Sequence, residues 1–206
     1  MHSLRVFIGT IAWFLLALII GASGLLASIP PPFPQVVLLG LVAILLSLFW
    51  KSSIFRQWAL SVDIRLLVVI HLSRFVGIYF LVLYSRGELP YAFAVPGGWG
   101  DIAVAATALI VSIFSPTRGV VGWAIYSLWN MFGLLDILLV AGTAARLGMA
   151  NPGFMSALTR LPLSLLPTFL VPIIVSTHII VFTRLLASRK RNYEPFTQSA
   201  HTFSVS

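Results

Sequence analysis

His71 and Arg74 lie within the apolar run Ile64–Tyr84, Asn130 and Asp136 within a second such run, and His178 within a third. Ionisable groups in an apolar span are costly and face a bundle interior, a partner or a water-filled cavity, so these residues mark where chemistry would sit. A guanidinium keeps its proton and needs a carboxylate, carbonyls or water. Asp136 is the expected partner of Arg74. In one reading Arg74 attracts an anionic group and Asp136 competes for it as a proton-linked switch, with Asn130 and His178 lining the route. In the other the pair only fixes helix register. The two histidines admit a different chemistry, because neutral imidazoles on opposed helices can hold a b-type haem iron from both sides. They could hold a metal ion instead, although two nitrogens alone make a weak site.

The elements that must position these groups follow from composition. Of 206 residues, 59% are hydrophobic and 9% charged, against about a quarter charged in soluble domains. That points to an all-α integral membrane protein, a single domain over residues 1–188. Six spans are expected, at about 6–27, 36–50, 62–85, 98–114, 120–144 and 163–186, since roughly 20 apolar residues cross the hydrocarbon. The first is too long in its apolar core for a cleaved signal. The net charge of +8 could suggest nucleic acid, but the basic residues fall between apolar runs and form no recognition patch.

Arginine and lysine in the loops set the orientation. With the N-terminus cytoplasmic, Arg5, Lys51, Arg56, Arg118, Arg184, Arg189, Lys190 and Arg191 lie inside, and Arg86, Arg146 and Arg160 outside. Both termini are therefore expected in the cytoplasm. The basic stretch 189–206 loses apolar periodicity and reads as a poorly ordered cytoplasmic tail. Small residues recur at helical spacing as Ala17, Gly21, Gly24 and Ser28, as Gly40, Ala43 and Ser47, and as Asp101, Ala105, Ala108 and Ser112. Such stripes allow close helix approach and a compact bundle.

With these spans, His71 stands about nine residues (~14 Å) from its inner end and His178 about eight (~12 Å), so the imidazoles should meet at one depth. Arg74 stands about 12 residues (~18 Å) in, within reach of Asp136. The stretch Gly87–Asp101, rich in Gly and Pro yet apolar, reads as an outer loop that could dip back as a lid, with Asp101 capping the fourth helix and Glu88 exposed. A cation between Asp101 and Asp136 is a further possibility. Pro167 and Pro172 should kink the sixth span. No cysteine, HExxH, Walker A or GxSxG run occurs, and neither Lys51 nor Lys190 lies within a span.

Arg74, the run Gly87-x-Leu89-Pro90-x-x-Phe93-Ala94-x-Pro96-x-Gly98-x-Gly100-Asp101, the run Trp129-Asn130-x-x-Gly133-Leu134-Leu135-Asp136, and Val171-Pro172 with His178 together resemble a widespread group of uncharacterised bacterial inner-membrane proteins. The likeness covers the third through sixth spans. It implies a bacterial origin and a six-helix inner-membrane fold with no assigned activity. It also implies that Arg74, Asp101, Asn130, Asp136 and His178 outweigh His71, whose position is often Gln in that group. The leading expectation is a small-solute or ion permease with an intramembrane Arg–Asp centre. A haem protein ligated by His71 and His178 and a structural or assembly protein are the alternatives. The bilayer is the expected partner, with no nucleic acid.

Overall fold

The computed structural model describes the backbone of residues 2–202 and the side chains of residues 4–189. Among these residues the chain is helical, with no strand. The helices are α1 (His2–Ala22), α2 (Phe33–Lys51), α3 (Ser53–Ser61), α4 (Ile64–Ser85), α5 (Tyr91–Phe114), α6 (Gly119–Ala150) and α7 (Val171–Thr202). Six of them, all but the short α3, are long and apolar enough to cross a membrane, as a multi-pass membrane protein requires. The basic stretch from 190 onward carries the end of the α7 backbone, and its side chains lie outside the described residues.

Helix boundaries follow local chemistry. α2 begins at Phe33, earlier than the apolar count suggests, because Pro34 sits in the first turn, where a missing N–H costs nothing. α4 ends in a Schellman motif. Gly87, at φ 73°, donates its N–H to Tyr84 O, and Glu88 donates to Leu83 O, both at 2.9 Å. Glycine takes that left-handed conformation without a Cβ clash. Pro90 then starts α5, so the connection is only Arg86–Pro90. The expected loop and lid over 87–101 is therefore corrected. Residues 91–101 are the first turns of α5, and the apolar character of that stretch was a helix signal that its glycines obscured. α6 continues past Ala144 to Ala150 and stops where Asn151, ahead of Pro152, is forced extended.

The last span opens with a π-helical turn, Leu166–Leu170, holding Pro167, and the break lies at this end of the span rather than near its middle. Pro172 cannot donate to the carbonyl of Thr168. The Trp13 indole of α1 donates to that carbonyl instead, at 2.9 Å, and Trp13 and Phe14 pack edge-on against Phe169. A helix-breaking proline thus becomes the docking point for α1.

The core lies among α4–α7. Only 11% of the spanning windows of α1 and of α2 is buried, against 44% for α5 and 56% for the last span. The stripe of α5 works as expected, with Ala105, Ala108 and Ser112 buried. The stripe of α2 does not, because Ala43 and Ser47 are exposed and Gly40 has nothing near it. One end of the bundle gathers basic groups onto backbone carbonyls. There Arg184 donates to Val62 O, and Arg65 to Ser115 O at 3.3 Å. The indole of Trp123 donates to Leu185 O at 3.1 Å.

Candidate functional site

Within α4, residues Ile70–Val76 wind as a 3₁₀ helix. Side chains three apart eclipse in that winding, so His71, Arg74 and Gly77 form one column. Each meets a matching level of the neighbouring helices. At the Gly77 level the backbones touch, since a Cβ on Gly77 would collide with Gly98 O and one on Gly98 would stand 2.8 Å from Gly77 O. A Cβ on Gly100 would strike the Asp136 carboxylate. The Gly97-Gly98-x-Gly100-Asp101 run is thus the face of α5 that lets α4 and α6 close in, ending on the residue that binds Arg74.

Arg74 is buried and held on three sides. Its Nε donates to Asp101 Oδ1 at 2.6 Å, Nη1 to Gly133 O at 2.9 Å, and Nη2 to Asp136 Oδ2. Asp136 was the expected partner. Asp101 was not. Ten residues inside α5, it cannot cap that helix, and the capping role is corrected to that of second carboxylate. It is buried, whereas the Asp136 side chain keeps 15% of its surface.

One turn away the two histidines meet, their ring centres 4.3 Å apart and Trp129 packed against both. The depth estimate had set them level. Asn130 fixes His178 twice. Its Nδ2 donates to His178 O at 3.0 Å, which turns its Oδ1 toward His178 Nδ1, 2.8 Å away, to accept that ring's N–H. Thr177 gives its own hydrogen to Ile174 O, so its oxygen accepts from His71 Nε2 at 3.2 Å. The opposite nitrogens, His71 Nδ1 and His178 Nε2, have no hydrogen-bond partner. Gly133 makes room for the second ring, as a Cβ there would stand 2.7 Å from His178 Cε1.

The Gly133 carbonyl and the packing of Trp129 were not picked out from the sequence. The i, i+3, i+6 spacing of Asn130, Gly133 and Asp136 was the available signal for Gly133. Tyr126, one turn before Asn130 on α6, is buried as well. A cavity of about 440 Å³ reaches Arg74 and Asp101 from the end of the bundle that carries the Pro152–Thr159 turn.

A family described as a domain of unknown function, DUF8737, matches residues 31–186. The chain belongs to it. The DUF8737 match leaves only α1 and the first connection ahead of it and takes in every polar residue of the site. It extends beyond the stretch from the third span onward on which the resemblance was seen. No curated protein and no solved structure matches the chain.

An iron between two imidazoles holds their nitrogens about 4 Å apart, twice a metal–imidazole bond of about 2 Å, and the ring centres farther still. Rings with centres 4.3 Å apart, tilted 50° and flanked by Trp129, do not fit a macrocycle between them. Protein purified from haem-replete cells should therefore show no Soret band. A band lost in both His71→Ala and His178→Ala would reverse that conclusion. Among the described residues no group of three or more histidines and acids is placed to hold a metal ion.

Proposed function

We propose that this DUF8737 protein is a small-solute or ion permease of the bacterial inner membrane, with both termini cytoplasmic, in which Arg74 exchanges between Asp101 and Asp136 as protons come and go. The observation that carries this reading is the clamp itself, one guanidinium held by carboxylates from two different helices at the inner end of a cavity. Fully ionised, the three groups leave one negative charge uncompensated in an apolar interior, which a proton or a cationic ligand would balance. A proton on Asp136 would release one side of Arg74 and leave Asp101 holding the other. That supplies two arrangements of the α4–α5–α6 contact, the minimum a coupled carrier needs. The excess of acid over base speaks against an anionic substrate, the role first assigned to Arg74. The basic groups gathered near Val62, Ser115 and Leu185 support a cytoplasmic location for that end.

The test is reconstitution into vesicles with an internal pH dye, followed by external addition of amines, monovalent cations or carboxylates. One class should move protons above protein-free vesicles, Asp136→Glu should keep the response, and Asp136→Asn should lose at least nine-tenths of it. No response to any class, or an unchanged one in Asp136→Asn, would overturn carrier function and leave the three charges as a lock on helix register.

A further inference from the structure

We infer that the cavity ending at Asp101 binds a small amphiphilic amine, an apolar body carrying one protonated nitrogen. The inference rests on the permease reading and names its substrate class.

The volume, about 440 Å³, falls within the ordinary range of small-molecule sites, and the walls are mostly aliphatic, from residues such as Leu38, Val140 and Ile174. Such walls favour an apolar body through the area that they remove from water. The polar atoms decide the rest. Asp101 lines the cavity and is 3% exposed, and it is hydrogen-bonded only through Oδ1, which leaves Oδ2 without a partner. Gln35 also lines it, and its Oε1 is buried with no partner. Both uncommitted groups are acceptors, and one belongs to a cluster with more acid than base. The hydroxyls of Ser73 and Thr159 on the same walls already donate to backbone carbonyls. Arg74, also on the wall, has its charge answered twice by carboxylates. Arg160 lies at the exposed rim, where solvent screens it.

An ammonium group satisfies these demands together. It donates to Asp101 Oδ2, and its single positive charge balances the clamp. A carboxylate on the same body would add a second uncompensated negative charge, and an alcohol would donate without balancing charge. The adjoining recess of about 320 Å³, lined by Glu88 and Tyr79, shares Gly153, Ser156 and Arg160 with the cavity and forms a polar approach to it.

Three probes with one ring system test the assignment: 1-naphthylmethylamine, 1-naphthylmethanol and 1-naphthoate. Each is titrated by equilibrium dialysis against the full chain in phosphatidylcholine nanodiscs, with empty discs as the blank. The amine should bind saturably and at least tenfold more tightly than the alcohol, with no saturable naphthoate. Asp101→Asn should weaken the amine at least tenfold. Should that variant fail to fold, Ala141→Phe, which fills the cavity wall away from the clamp, should abolish saturable amine binding while the melting temperature holds. Naphthoate binding more tightly than the amine would overturn the assignment. So would amine uptake that is linear, or unchanged by Ala141→Phe. Loss of the amine arm while another solute still moves protons would remove the substrate class and leave the carrier standing. Saturable amine binding without any proton movement would keep the site and remove the carrier.

Discussion

Arg74→Met should destabilise the detergent-purified protein by about 3–5 kcal/mol, the cost of removing one partner from a buried ion pair. The substitution keeps roughly the side-chain length but leaves Asp101 and Asp136 facing each other across the space that the guanidinium filled, with Gly133 O unpaired. Its thermal midpoint, followed by size-exclusion chromatography after heating, should fall well below that of wild type. Asp136→Asn should cost less, because that side chain keeps some exposure and Asp101 still holds Arg74. The triple variant Arg74→Met, Asp101→Leu, Asp136→Leu should recover most of the midpoint, since apolar replacement of a whole buried ion cluster is often neutral or stabilising. An unchanged midpoint in Arg74→Met would mean that the clamp does not hold the helices together. A stable triple variant that has lost all solute-linked proton movement would show that the charges are kept for function at the expense of stability.

The second large effect is expected at the glycines, and its rank order is the test. Gly77→Ala should be the most damaging, because its Cβ lands on the backbone of α5, which cannot swing aside. Overpacking of this kind costs about 1–3 kcal/mol, occasionally more. Gly100→Ala should follow, and by displacing the Asp136 carboxylate it should reproduce part of the Asp136→Asn phenotype with every ionisable group still present. Gly97→Ala meets only a Val140 methyl at 3.3 Å and should cost little. Gly40→Ala has open space around it and should be neutral or slightly stabilising, as Ala exceeds Gly in helix propensity by up to ~1 kcal/mol. Thermal midpoints of the four variants check the order. Gly77→Ala tolerated as well as Gly40→Ala would disprove the backbone contact between α4 and α5.

Much of this was readable from the chain. Apolar length alone located six spans, and counting rise per residue put His71 level with His178 and Arg74 within reach of Asp136. What failed was local. Gly87–Asp101 reads as a loop when glycine and proline count as breakers, whereas in a membrane span glycine serves close packing and Pro96 costs a single bond near one end of α5. That error hid Asp101 as a partner of Arg74, because a residue thought to start a helix was given a capping role. The α2 stripe failed for the opposite reason. Small residues at helical spacing permit close approach but do not compel it, and nothing in spacing says which stripe finds a neighbour. The Gly133 carbonyl acts through main-chain geometry, which residue type alone does not display.

The 3₁₀ stretch of α4 carries one more consequence. A 3₁₀ helix advances about 2.0 Å and turns about 120° per residue, against about 1.5 Å and 100° in an α-helix. Seven residues, Ile70–Val76, therefore store about 3.5 Å of length relative to α winding. With Gly77 pinned against Gly98, a change to α winding would turn Arg74 by about 60° and His71 by about twice that. The column that faces Asp101 and His178 exists only in the tighter thread. The middle of α4 is in effect a screw, in which a change of pitch would carry Arg74 away from Asp101 and Asp136.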